Sequence, residues 1–453
     1  MTHVTLDKLV KQSIFRAAEL GSALVLISAL ASGANSPEWG QRKEAGRKAF
    51  ELGRYGEAEA LGREALRLVQ ITYPVDSPEV AGCLNDLGIA ESALGKFSDA
   101  EDLYRRAVRI WEKNPGREAS EARVLSNLSV LLVSEARYPE AEVLALRSLE
   151  IHEAVVGAGH PDTVPALINL GQLYETEGRF GEAETFLRRA AEIRQQTLGE
   201  NHPETALAFA ALGQAYSRAG KTEQAMDLLQ RALRVNEKTL PPNHPRTAVI
   251  LNNLSGIYSR QRNYKEAEQL LRRAMDIWEK SLGHSHPDLA SGFSNLATIN
   301  FARHHYKQAE QYGRRALEID RSYFGPNNPA VAIDLGNVAA ALFAEKNYRE
   351  SELLFQEALA ISEKSHGAQH PDVADTLSNL AELYVVESRY GEAAAAYKRS
   401  IAIREGVFGK TNPRLIANLR AYAKLMRKME DYAEAEKADV RALGIEVRNS
   451  LHP

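Results

Sequence analysis

Histidine is the most regularly spaced of the chemically capable residues in this chain, and imidazole nitrogens can ligate a metal or carry a proton. His160, His202, His244, His286 and His370 each precede a proline and fall on a 42-residue grid, on which Asn328 and Asn412 take two further points. A zinc ion holds its ligands at about 2 Å, whereas equivalent atoms on stacked helices stand on the order of 10 Å apart. The series cannot close on one ion. Each histidine reads as a turn residue ahead of a helix-starting proline. His284 with His286, and His304 with His305, are closer pairs, but neither has an evident acidic or thiolate companion. No metal site is expected.

Two stretches imitate phosphate-binding loops. Residues 215–222, AYSRAGKT, and 404–411, REGVFGKT, end in Gly-Lys-Thr. Ala215 and Arg404 stand where such a loop needs its first glycine, and neither stretch follows a strand. G-x-S-x-G and H-E-x-x-H motifs are absent, and no nucleophile has a recognisable base. The expectation is therefore no catalytic residue, no cofactor and no enzymatic activity.

The polar feature that survives is an asparagine. Asn127, Asn169, Asn253, Asn295, Asn337 and Asn379 share one position of the grid, with Asp86 replacing them in the second unit and Ala211 and Ala421 breaking the series. Asparagine is a poor helix-interior residue because its amide competes with the backbone. Two compatible readings follow: an inter-repeat hydrogen bond that fixes stacking, or a ladder of amides that grips a peptide main chain.

The elements that position these residues come from the same period. A small residue inside an E-A-E-like run recurs at positions 58, 100, 141, 183, 225, 267, 309, 351, 393 and 435, at intervals of 42 with one of 41. Such a period marks an array of like units. In the copy that starts at Pro245, a first helix carries Leu251, Leu254 and Ile257, and Arg262-Asn263 turns the chain. A second helix from Tyr264 repeats Ala267, Leu270, Leu271, Ala274 and Ile277. It is predicted to stop near Gly283 in a left-handed cap. Around the first helices, a groove lining is expected to include Phe301, Phe343 and Val385, with Thr298, Ala340, Ala344, Val386, Val130 and Val133 beside them. In the last unit Arg420, Lys424, Arg427 and Lys428 make one face basic, either a solvated end cap or a clamp for an acidic part of a ligand.

The spacing small–x11–Ala–x6–Ala, as in Gly171…Ala183…Ala190 and Gly213…Ala225…Ala232, resembles the tetratricopeptide signature, with Tyr174, Tyr216, Tyr258 and Tyr384 at its aromatic position. The 42-residue length and blocks such as NNLSGIYSRQRNYKEAEQLLRRAMDIWEKSLGHSHPD look like the kinesin light chain subtype, over residues 38–446. The resemblance implies an all-α fold, a right-handed α-solenoid of about ten helix-turn-helix repeats spanning residues 35–453. It also implies that asparagine at this first-helix position contacts a peptide backbone. The lysine–arginine set with which chaperone-type members hold a C-terminal carboxylate is missing; Arg123 is the lone basic residue at one of those positions.

Composition agrees with helices and excludes other classes. Fifty-six basic against 60 acidic residues leave a net charge of −4, no footprint for nucleic acid. Cys83 is the one cysteine, so no internal disulfide forms. Residues 1–34 differ: Lys8, Lys11 and Arg16 precede an apolar run from Leu20 to Ala31, the parts of a secretory signal. Asp7 and Glu19 dilute the basic region, and a packing helix or a membrane anchor are the alternatives. A cleaved signal would place the protein in the periplasm or outside the cell, and its absence in the cytoplasm. The sequence thus describes a scaffold for a protein or peptide partner, without a nucleic acid or small-molecule substrate; membrane contact is expected only if residues 1–34 persist as an anchor. The alternative is a structural, self-assembling solenoid in which the amides serve stacking alone.

Overall fold

A computed structural model describes residues 37–451; the leader at 1–34 lies outside the described residues. These fall into two compact units, residues 37–292 and 293–451. Among the described residues there are twenty α-helices, two 3-10 turns and no strand. The first unit pairs α1 (Glu38–Glu51) with α2 (Tyr55–Thr72), α3 (Pro78–Ala93) with α4 (Phe97–Glu112), and α5 (Glu118–Ser134) with α6 (Tyr138–Val156). It continues with α7 (Val164–Glu177) and α8 (Phe180–Leu198), α9 (Pro203–Arg218) and α10 (Thr222–Thr239), then α11 (Pro245–Arg260) and α12 (Tyr264–Leu282). The division between units falls within α13 (Pro287–Ala302). After it come α14 (Tyr306–Phe324), α15 (Pro329–Ala344), α16 (Tyr348–His366), α17 (Pro371–Val386), α18 (Tyr390–Phe408), α19 (Ile416–Lys428) and α20 (Tyr432–Leu451). Within each unit every helix packs on the one before and the one after it, the tetratricopeptide type of α-solenoid.

The 42-residue grid acts through backbone geometry. Gly53, Gly95, Ala136, Gly178, Gly220, Arg262, His304, Lys346, Ser388 and Glu430 sit at the turn inside successive pairs, and all have φ between 56° and 83°. A side chain there costs about 1–2 kcal/mol, so six of the ten turns carry strain that four avoid with glycine. The loops between pairs use a different glycine geometry. Gly283 has φ 91° and ψ 170° rather than the left-handed helical cap expected for it, a region open essentially to glycine alone.

Histidine and asparagine alternate before proline because both can cap. The Nδ1 of His160, His202, His244, His286 and His370 accepts from the backbone N–H two residues on, at 3.1–3.2 Å. Asn328 and Asn412 do the same through Oδ1, at 2.8 and 3.0 Å. An accepting Nδ1 must be unprotonated, and burial lowers the pKa of His244, with Arg246 adding to the effect.

Each repeat has no core without its neighbours. In α12 Ala267, Leu271, Ala274, Ile277 and Trp278 are buried as the period predicts, and Leu270 is half-buried. Close packing explains the small residues: a Cβ on Gly171 would lie 2.4 Å from Leu187. A row of ion pairs joins successive second helices, with Arg147–Glu112 at 3.1 Å, Arg189–Glu153 at 2.5 Å and Arg273–Glu237 at 2.6 Å in the first unit. The second unit has Arg399–Glu363 at 2.5 Å, Arg441–Glu405, and a pair with its charges exchanged, Arg321–Glu357 at 2.6 Å. Exposed pairs contribute at most about 1 kcal/mol each, and the swap shows that the site specifies a contact rather than a residue type.

Replacing Arg262 and Lys346 with glycine should relieve the left-handed strain and stabilise by about 0.5–1 kcal/mol each, after the cost of glycine in the unfolded chain. Urea unfolding of the double variant should show a higher midpoint; an unchanged or lower one would contradict the strain.

Candidate functional site

The asparagine series divides by what its neighbours offer. In the first unit, Asn127 donates to Asn85 Oδ1 at 2.8 Å and Asn169 to Ser126 Oγ at 2.7 Å. Asn253 donates to Gln214 Oε1 at 3.5 Å, and Asp86 accepts from Arg47 Nε at 2.8 Å with Lys43 Nζ at 3.7 Å. Each partner stands on the preceding repeat's first helix, one residue before or three after the equivalent position. Those two places are four residues apart and so share one stripe. These side chains bind repeat to repeat.

Asn337 and Asn379, in the second unit, make no such bond. For Asn379 the two places hold Gly336 and Ala340, which offer no side-chain acceptor. For Asn337 they hold Ser294, which donates to Asp334 at 2.6 Å, and Thr298, which donates to the Ser294 carbonyl at 3.1 Å. Both asparagines are half-buried, and neither amide has a hydrogen bond to another described residue. Asn295 is also half-buried. In the next repeat Asn418, three residues before the ladder position, supplies the stacking bonds to Ser378 at 2.8 Å and Ser400 at 2.7 Å.

The expected lining is only partly on this surface. Phe301 is 6% exposed and packs edge-on to Tyr306 at 5.2 Å, and Phe343 approaches Tyr348 at 5.7 Å. These phenylalanines clasp the turn between the helices of a pair, and Phe301 belongs to the core rather than to a groove floor. Thr298 is buried too, while Val385 is half-buried and Val386 is 46% exposed. The basic face is largely paired by α20. Arg420 binds Glu446 at 2.6 Å and Arg427 binds Asp439, which leaves Lys424 and Lys428 exposed and in no ion pair among the described residues, the latter 5.7 Å from the Tyr390 ring.

Glu382 is the residue that sequence reasoning missed. It lies one turn after Asn379 on the line that holds Ala340 and Lys424, and no acidic residue recurs there to mark it. Burial pushes its carboxyl up to about 7, against the pull of Lys424.

The imitation motifs resolve structurally. Gly220-Lys221-Thr222 is the turn from α9 to α10, and Lys221 binds Glu184 at 2.5 Å. Among the described residues, His366, His370 and Asp372 bring metal-ligand atoms within 4.8 Å of one another. The His370–Asp372 spacing of 3.5 Å repeats the capping geometry of His160–Asp162 and His286–Asp288 at 3.6 and 3.7 Å. The two imidazoles stack at 4.1 Å rather than converge, and a cation on the His370 Nδ1 would displace the cap of α17.

The tetratricopeptide repeat pattern matches residues 47–113, 120–196, 177–238, 246–322, 306–364, 330–406 and 372–445. This chain belongs to the tetratricopeptide repeat family. Tetratricopeptide proteins are in general non-catalytic scaffolds for protein or peptide partners. The chain is similar to a Rap protein crystallised with Competence and Sporulation Factor, at 14% identity and TM-score 0.55, over 83% of this chain and 100% of that one. It is also similar to repeats of a putative kinesin light chain from Podosopora anserina, at 24% identity and TM-score 0.39, over 46% and 97%. BtubC from P. vanneervenii matches at 23% identity and TM-score 0.40, over 52% and 92%. No functionally curated protein matches the chain.

A carboxyl raised in the folded state stabilises below its unfolded pKa near 4.3, and that contribution is lost as pH rises through the folded value. Glu382→Gln should therefore raise the unfolding temperature at pH 8 and change it little at pH 4; equal shifts at both would contradict the burial of this carboxyl.

Proposed function

We propose that the protein binds an extended segment of a partner protein along its first-helix face, the concave side in this family, and grips the segment's main chain with the Asn337 and Asn379 amides. A primary amide donates through nitrogen and accepts through oxygen, so it matches both groups of an extended backbone. One observation carries this reading: both amides are half-buried on a helix without a hydrogen bond to another described residue. Half-burial holds the side chains in place, and an ordered surface loses less entropy on binding.

Ala340, Ala344 and Val386 lie beside the amides and suit apolar side chains of the segment. Lys424 and Lys428 suit an acidic residue at one end of it. No bond is made or broken in this role, which is that of a non-catalytic scaffold. The Rap neighbour, crystallised with Competence and Sporulation Factor, supports the general idea that such a stack of repeats can hold a second molecule. Export through residues 1–34 remains a proposal from sequence, and a mature N-terminus near residue 35 would support it, an intact Met1 oppose it.

Affinity capture by the intact chain, followed by titration of the captured segment, tests the groove. Asn337→Ala with Asn379→Ala should weaken binding by roughly tenfold or more, about 1.4 kcal/mol, with little change in unfolding temperature. Asn127→Ala with Asn169→Ala should do the reverse, because each removes a bond worth about 1 kcal/mol between repeats. Unaltered affinity in the first variant would contradict the proposal.

A further inference from the structure

We propose that α20 is a self-association surface, on which a second copy of this chain packs its own α20 in parallel. The helix exposes Val440 at 62%, Leu443 at 58% and Val447 at 50%. With Gly444 they fall at i, i+3, i+4 and i+7, one stripe of a helix. The second helices before it show what this stripe meets. The position of Leu443 is held by Ile401 in α18, which is 7% exposed within the core shared with the following repeat.

The other two positions have changed character. Where α20 has Val440, the earlier helices of this unit carry Lys398, Gln356 and Arg314; where it has Val447, they carry Glu405, Glu363 and Arg321. Those charged residues touch the following repeat: Lys398 Nζ stands 5.8 Å from the Tyr422 ring, and Glu405, Glu363 and Arg321 pair with Arg441, Arg399 and Glu357. The row of ion pairs therefore runs up to Arg441, and α20 presents valine where α18 presents Lys398 and Glu405 and α14 presents Arg314 and Arg321. Apolar residues at these places suit a dry helix contact rather than another repeat of the same pattern. Gly444 adds a second sign. Glycine weakens a helix, and beyond the backbone of its own helix a Cβ here would meet no described atom within 4 Å, so no packing contact among the described residues requires it. A small residue beside the stripe lets a second helix come close.

Charge selects the occupant and its direction. Lys437, Arg441 and Arg448 run along one flank of the stripe, while Glu436, Asp439 and Glu446 run along the other. Asp439, Glu446, Arg441 and Lys437 are held by Arg427, Arg420, Glu405 and Glu434, whereas Glu436 and Arg448 are exposed and in no ion pair among the described residues. An antiparallel pair of identical helices sets like flank on like flank; a parallel pair about a two-fold axis sets the basic flank of one on the acidic flank of the other. A second copy in parallel thus matches both the stripe and its borders. One helix pair buries less than the roughly 1,200 Å² of a standard interface, so the dimer depends on concentration.

Sedimentation of the full chain from about 1 to 200 μM, a range suited to a small interface, tests this. The mass should climb toward twice that of the chain. Val440→Lys with Val447→Glu restores the residues of α18 and should keep the monomer mass throughout with unchanged helicity. A wild-type chain that stays monomeric overturns the proposal, as does a variant that associates equally, whether through residues 1–34 or another face. Direction is read separately from Val440→Cys and Val447→Cys, oxidised with copper phenanthroline: both should form disulfide dimers, and failure of either overturns the parallel arrangement.

Discussion

A pair of helices of this length cannot bury its own apolar stripe, so every repeat is held by the surface it shares with the repeat before it. Two sets of polar contacts fix that shared surface. Between second helices an arginine and a glutamate meet, in one case with the charges exchanged, as Arg321 and Glu357 show. Between first helices the ladder residue reaches back to one of two places on the preceding helix, as Asn169 reaches Ser126. The remainder follows from this constraint. Where the preceding helix supplies an acceptor the amide is consumed in stacking; where it supplies Gly336 and Ala340, the amide of Asn379 remains available. A bond that serves stacking in the first unit is thereby left unmade at Asn337 and Asn379, the surface proposed to hold a partner.

Much of this was legible in the residues. The period gave the number of pairs, the places of Pro245 and Gly283 marked helix limits, and the stripe through Ala267, Leu271 and Ala274 marked the core. The asparagine series was visible because polar residues inside helices need a reason. Its division was not, because a partner 42 residues away is identified only once the stacking register is known. Phe301 and Phe343 misled for a related cause: position around the helix places them near the groove, but their rings turn toward Tyr306 and Tyr348 across the turn. Glu382 left no mark in the sequence, since its raised carboxyl comes from its surroundings in the fold and not from recurrence.

The histidines show how a regular motif can be structural. Imidazole Nδ1 and the asparagine Oδ1 both accept from the second backbone N–H of the next helix, so the two residues interchange before proline. Their grid, which resembles a metal-binding series when read as chemistry, is a series of helix starts. The same economy applies at Lys221, whose Gly-Lys-Thr setting is a turn bound to Glu184.

In the proposed function Asn337 and Asn379 are held ready for a partner's main chain. A crystal structure of the chain with a captured partner segment tests it most directly. Both amides should lie within about 2.7–3.2 Å of backbone N–H or C=O groups of the segment, on the first-helix face. A segment seated on the second helices, or amides that remain without contact to it, would contradict the claim.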